Sequence, residues 1–369
     1  MEKVKILIIS SAFYPEISPR SFRATELAKE FHRQGHSVTV ITRRRDYDYS
    51  YFLDQYPIEL KMWKKSIFKQ VPESTIKLFS LFARVVNRLL QMLIEYPAIE
   101  EMFQVHKKLK REKGYNLAIS FAVPYPVHWG VAWARSVKNP ISKVWVADCG
   151  DPYMGDVIDS FKKLFYFEYL EKWFCKKADY ISIPIQTAIK AYYPQFHHKI
   201  KIIPQGFSFD LNEKKKNYTK NNIQSFAYAG SFLKGSRDPS KLLMFLKKLD
   251  IPFKFYIYTN NIDFLDEHRK DLNERLIISN YVPRDQLLEN LSKMDFLINF
   301  DNNTKLNSPS KLIDYIIVNR PVLNITNEFD SSELLEFLHG DYSKQMELPD
   351  PEKFHITRVS KQFLELIRG

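Results

Sequence analysis

The segment Phe226-Ala227-Tyr228-Ala229-Gly230-Ser231-Phe232-Leu233-Lys234-Gly235-Ser236-Arg237-Asp238-Pro239 has the residue types that hold an anion. A strand ends at Gly230, two glycines leave the loop backbone open, and Lys234 and Arg237 flank it. A helix then begins at a proline suited to its first turn. Exposed N–H groups with two cations can hold a diphosphate, and the same loop can also be only a well-capped connection. The run Asn307-Ser308-Pro309-Ser310-Lys311-Leu312-Ile313-Asp314-Tyr315 offers similar chemistry. Ser308 or Ser310 can cap a helix whose free amides favour phosphate. Asp314 lies one turn in from Ser310, where a carboxylate can accept from two ribose hydroxyls or simply sit well near a helix start.

Carboxylates three apart stand beside a glycine in Trp145-Val146-Ala147-Asp148-Cys149-Gly150-Asp151-Pro152-Tyr153. With His128, which follows Pro124-Tyr125-Pro126, Asp148 and Asp151 are the candidate catalytic groups. The alternatives are turn or cap roles for the acids and a structural place for the lone histidine. There is no G-x-G-x-x-G, Walker A loop, nucleophile elbow or H-E-x-x-H helix, which argues against dehydrogenase, ATPase, α/β-hydrolase and metalloprotease readings. Cys149 and Cys175, without clustered histidines, make neither a disulfide framework nor a zinc site, and a reducing cytosolic home is expected.

The elements that must position these groups alternate. Short apolar runs predict strands at residues 4–9, 37–42, 117–121, 143–147, 180–183 and 200–203. A second series predicts strands at 225–229, 253–258, 276–278, 296–300 and 321–325. Helical spacing predicts helices at 21–34 (closed by Gly35), 239–248, 284–293, 310–318 and 356–367. The polar stretch 212–222 reads as an exposed linker or loop. The expected fold is α/β, two doubly wound domains in sequence with a ligand cleft between them. Residues 1–205 form the first domain and 206–349 the second, with 350–369 a helix returning to the first.

Charge is uneven. The 369 residues carry a formal net charge of +12, and residues 1–205 hold 32 basic against 20 acidic side chains, so the excess lies wholly there. It concentrates at 61–94, where seven basic residues accompany one acid, Glu73. Within it, residues 76–94 place Lys77, Ser80, Arg84, Asn87, Arg88 and Gln91 on one narrow helical stripe, and the rest is apolar. Preceded by Trp63, Lys64, Lys65, Phe68 and Lys69, this basic amphipathic insertion, about 61–113 in all, suits the surface of an anionic membrane. The competing reading is a helix buried on three sides. The basic residues are interleaved with aliphatics, so no nucleic-acid partner is expected. The apolar core of the first eleven residues, 6–9, is too short for a signal peptide, and no charge-free run of 18 apolar residues is present.

Together these segments resemble the GT-B glycosyltransferases of the family 4 kind, in particular bacterial enzymes of surface-polysaccharide synthesis. The likeness spans nearly the whole chain. Phe13-Tyr14-Pro15-Glu16 with Glu26-Leu27-Ala28 is similar to their opening motif, Gly35-His36-Ser37-Val38-Thr39-Val40 to their second strand, and Ile202-Ile203-Pro204-Gln205-Gly206 to their interdomain strand and turn. Residues 228–239 resemble a form ending in Arg-Asp-Pro, and 308–315 a Pro-Ser-Lys-x-x-Glu-Tyr form. The resemblance implies a GT-B architecture of two Rossmann-like domains facing a central cleft. It implies a nucleotide-sugar donor in the second domain and an acceptor, here a lipid-linked saccharide, in the first. It also implies retention of anomeric configuration and no metal or other cofactor. Lys234, Arg237, Gly230, Ser231, Ser308, Ser310 and Lys311 would hold the donor phosphates, Asp314 the ribose, and Tyr281-Val282 the base. Ser18 and Arg20 would lie in the loop after the first strand. The protein would work in the cytoplasm, peripherally at the inner membrane face.

This sequence departs from the family pattern in three places. Ser18-Pro19-Arg20-Ser21 stands where paired glycines are usual. Gly150 stands where relatives often have an arginine. Leu306 falls near the first glutamate of the usual pair. These departures leave a second reading, a catalytically silent GT-B-shaped scaffold of a polysaccharide assembly complex. A nucleotide-sugar epimerase is a third, and its expected acid and histidine pattern is not found.

Overall fold

The fold is that of a computed structural model, which describes residues 2–72, 77–156, 162–209, 218–233, 237–262, 265–301, 311–326 and 328–368. The chain divides into two compact units, residues 1–208 with 354–369, and residues 209–353.

The first unit runs β1 (Lys5–Ser10), α1 (Pro19–Arg33), β2 (Ser37–Arg43), α2 (Ser50–Gln55), β3 (Glu59–Trp63), α3 (Lys77–Ile94), α4 (Ile99–Leu109), β4 (Tyr115–Ala122), α5 (Pro126–Ala134), β5 (Ser142–Cys149), α6 (Phe167–Lys177), β6 (Tyr180–Ile183) and β7 (Ile200–Ile202). The second runs β8 (Gln224–Ala229), α7 (Ser240–Lys247), β9 (Phe253–Tyr258), α8 (Asp266–Leu272), β10 (Leu276–Ser279), α9 (Arg284–Ser292), β11 (Phe296–Phe300), α10 (Lys311–Val318), β12 (Val322–Ile325) and α11 (Ser331–Leu338). The last helix, α12 (Ile356–Glu365), belongs to the first unit.

The sheets are ordered β3-β2-β1-β4-β5-β6-β7 and β10-β9-β8-β11-β12, and every pairing in them is parallel. Strand order therefore reverses between β1 and β4 in one sheet and between β8 and β11 in the other. Open parallel sheets bind ligands at the carboxyl ends of strands at such reversals. β1 explains the buried apolar run of its sequence. Ile6 and Ile8 enter the core shared with Leu27, Phe31, Val40 and Phe363, while Leu7 and Ile9 enter the opposite core with Trp129 and Trp145. The α12 helix closes the first of these cores through Ile356, Val359 and Phe363. Gly206 lets the chain approach it, since a Cβ there would meet Ile356 Cδ1 at 2.7 Å and Val359 Cβ at 3.0 Å.

β3 corrects the sequence reading at the start of the insertion. Residues 59–63 form an edge strand paired with β2, so Trp63 is buried in the core, not at a surface. Lys61 bonds Glu112 at 2.9 Å. The α3 helix corrects the reading that it is buried on three sides. Among its described side chains only Ala83 is buried, and Leu78, Phe82, Val85, Leu89 and Leu93 are 47–74 % exposed. Of the polar stripe, Asn87 turns toward the protein, its amide bonding the Val71 backbone N–H and C=O at 2.8 and 2.9 Å, while Arg84 and Gln91 stay exposed. Among the described residues no helix is long and apolar enough to cross a membrane.

Glu171 on α6 is fully buried. Burial pushes its carboxyl up to about 8 from an ordinary 4.5, with the Met154 amide and Tyr193 hydroxyl opposing. Between those two values the unfolded chain is ionised while the folded one keeps a proton, so stability falls as pH rises through that window. Glu171→Gln should therefore raise the thermal midpoint at pH 8 by several degrees and leave it unchanged at pH 4.5. Equal shifts at both pH values would show that the effect is packing, not titration.

Candidate functional site

In the second unit the loop after β8 begins at the strand-order reversal. Gly230 is left-handed (φ 155°), and its amide donates to Tyr258 O at 3.0 Å. That amide is committed to the sheet, which corrects its expected place as a phosphate donor. Ser231 shares a 2.8 Å hydrogen bond with the Tyr281 hydroxyl, and its carbonyl accepts from Tyr228 at 2.9 Å. The loop closes on itself where Leu233 N meets Arg237 O at 3.1 Å. The Arg237 guanidinium lies beside the buried Tyr228 hydroxyl, and its Nε is buried without a partner among the described residues. A buried, unpartnered donor on a cation is costly unless a ligand accepts from it. Lys234, Ser308, Ser310 and Leu306 lie outside the described residues.

Lys311 opens α10, and the buried Tyr315 locks that helix to the reversal point. Its hydroxyl donates to Ile298 O at 2.9 Å and accepts from Ala229 N at 3.2 Å, tying α10 to both β8 and β11. Asp314, one residue before, accepts from Arg284 Nε at 2.9 Å. Burial raises its carboxyl, and the Arg284 charge opposes that. Arg284 is a site residue the sequence reading missed; its position at the start of α9, two residues after Val282, was the available signal. Tyr281 is half exposed, with its amide donating to Asn260 Oδ1 at 3.1 Å, and Val282 packs with Leu291, Leu297 and Tyr315.

In the first unit, Ser18 caps α1, accepting from Ser21 N at 3.2 Å and donating to Glu16 at 2.9 Å. Asp148, at the end of β5, is buried and paired with Arg23, which bonds it through Nε at 3.0 and 2.9 Å. The same guanidinium donates to the carbonyls of Ile203 and Pro204 at 3.0 and 2.6 Å, and Ser182 donates to Asp148 at 2.9 Å. His128 is fully buried between Ser120 Oγ at 2.8 Å and Cys149 Sγ at 3.6 Å, and burial pushes it down to about 3, so it stays neutral. Against their expected catalytic place, Asp148 and His128 are both buried and engaged with protein groups. Asp151 is different. Its side chain is 39 % exposed and pairs with Arg20. Both cysteines are free and buried.

Comparison with solved structures covers the full chain. HepE of Anabaena, crystallised with UDP and glucose, matches with a TM-score of 0.59 at 12 % identity, over 99 % of each chain. A glycosyltransferase of Rickettsia africae matches at 0.60 and 12 %, over 100 % of this chain and 98 % of that one. The lipopolysaccharide outer core galactosyltransferase WaaB matches at 0.58 and 13 %, over 99 % of each. The chain has the GT-B fold. Its two sheets are the two Rossmann-like domains of GT-B, and at these identities the likeness establishes the fold while chemistry rests on the residues. No protein-family model and no curated protein matches the sequence. In GT-B terms, residues 228–233 and 237–239 with α10 flank the reversal point of the second domain, and Arg20, Asp148 and Asp151 that of the first.

Proposed function

We propose that the chain is a retaining glycosyltransferase. It takes a sugar from a nucleotide-sugar donor held by the second unit and passes it to a lipid-linked saccharide in surface-polysaccharide synthesis. The observation that carries this reading is the strand-reversal point of the second sheet. There the Arg237 guanidinium lies beside Tyr228, its Nε buried with no partner among the described residues, Ser231 bonds Tyr281, and Arg284 pairs with Asp314. HepE, of the same fold, was crystallised with UDP and glucose. In transfer, the bond from the anomeric carbon to the leaving diphosphate breaks as the acceptor oxygen bonds to that carbon on the same face. The acceptor proton passes to the departing phosphate oxygen, so no protein nucleophile is required. Arg237 and Lys234 offset the growing charge on the diphosphate in place of a metal.

The exposed apolar stripe of α3, flanked by Arg84 and Arg88, supports a seat on the anionic inner face of the cell membrane, where a lipid-linked acceptor resides. The scaffold reading is favoured by the commitment of the Gly230 amide to Tyr258 and of Asp314 to Arg284. One experiment separates the two. Nucleoside diphosphates and a panel of UDP- and GDP-sugars are screened by thermal shift, and the binders are assayed for transfer with the product anomer read by NMR. A raised midpoint and a product of unchanged anomeric configuration are expected. No shift with any nucleotide would leave the scaffold, and an inverted product would overturn retention.

A further inference from the structure

Gly150 follows β5, and its backbone does not require a glycine, since among the described residues the left-handed glycines are Gly35, Gly114, Gly230 and Gly340. What position 150 requires is room. A Cβ built there would overlap the Arg20 guanidinium at Nη1, Cζ and Nη2. Arg20 reaches that space from the first turn of α1 and pairs with Asp151. Three residues on from Arg20 and three back from Asp151, Arg23 pairs with Asp148. The inner pair is buried and fully engaged, and it fixes the register of α1 against the end of β5. The outer pair is 17 % and 39 % exposed. The Tyr125 hydroxyl donates to the Asp151 carbonyl, which pins the backbone that carries the acid. Since α1 follows β1, and β4 lies between β1 and β5, the outer pair crosses the carboxyl end of β4 at the strand-order reversal.

The outer pair keeps its acid partly exposed, and the inner pair already fastens the helix. We infer that Arg20 is a positioning residue for Asp151, that position 150 is glycine to admit it, and that the carboxylate so held meets the hydroxyls of the saccharide in the first unit. This rests on the transferase reading above. The guanidinium is the far end of a flexible side chain, so Gly150→Ala displaces it without unfolding the sheet. Gly150→Ala is thus a way to move Arg20 while leaving it in place in the sequence.

The test uses the full chain with the panel nucleotide sugar that turns over. Arg20→Ala, Gly150→Ala and the double variant should each lower kcat by about the same factor, roughly tenfold, with the KM for the nucleotide sugar unchanged. Arg20→Lys should recover most of the loss. Carbodiimide labelling of Asp151, read by mass spectrometry without any substrate, should speed up in Arg20→Ala and Gly150→Ala alike. Wild-type kcat in either single variant, losses that multiply in the double, or labelling equal to the parent chain would overturn the inference. A parent chain that binds and turns over no nucleotide sugar would fail the transferase reading instead, and the labelling would still report on the clamp.

Discussion

Arg237→Ala is expected to weaken binding of UDP or GDP about ten- to a hundredfold, measured by titration calorimetry. A hydrogen bond to a charged group contributes about 1.5–3 kcal/mol, and each 1.4 kcal/mol is a factor of ten. Arg237 lies in the loop after β8, whose strand flanks the reversal with β11 where open parallel sheets bind ligands, and its guanidinium lies beside Tyr228. Its Nε is buried with no partner among the described residues, so a phosphate oxygen that accepts from it relieves a desolvation cost. Arg237→Lys should recover only part of the affinity, because an ammonium cannot reproduce the planar fork. Lys234→Ala should act in the same direction. Unchanged affinity in both alanine variants would remove the donor site from this loop.

Phe82→Asp with Leu89→Asp should abolish sedimentation with anionic liposomes. Fully burying a side chain of this kind is worth about 1.5–3 kcal/mol, so two such losses plus two added negative charges exceed what a marginal interfacial helix supplies. Both residues are more than half exposed, so the fold itself should survive, as a circular dichroism melt would show. Binding should fall with salt and with Arg84→Glu or Arg88→Glu, because the basic residues beside the stripe sense the surface potential. Equal retention by neutral liposomes would contradict the electrostatic part, and undiminished binding of the double aspartate variant would refute the membrane seat.

Much of this fold could be read from the chain. Strands such as 253–258 and 296–300 stand where apolar runs put them, because a parallel strand buried on both faces has no polar positions to confuse the pattern. β3 was missed for the opposite reason. Glu59-Leu60-Lys61-Met62-Trp63 is an edge strand with charged side chains that find partners in Thr39 and Glu112, and its composition mimics a basic surface segment. For α3 the stripe was visible but not which of its residues turn inward, since Asn87 meets Val71 sixteen residues earlier while Arg84 and Gln91 stay exposed. The site was legible as loops and not as partners. Arg23 and Asp148 are 125 residues apart, and nothing local announces that they consume each other. Arg20 in the first loop and Gly150 after β5 read as two separate departures from a family pattern; in space they are one arrangement, the arginine filling the room the glycine leaves.

The return of residues 354–369 to the first unit sets an order on synthesis. Residues 209–353 form a contiguous stretch that can close as soon as it emerges from the ribosome. The layer of the first unit that Val359 and Phe363 cover must wait for that whole stretch to be translated, roughly 7–30 s at 5–20 residues per second. Through that interval Leu27, Phe31 and their neighbours lack their last cover, which makes the half-made chain a client for chaperones in a way the finished protein is not.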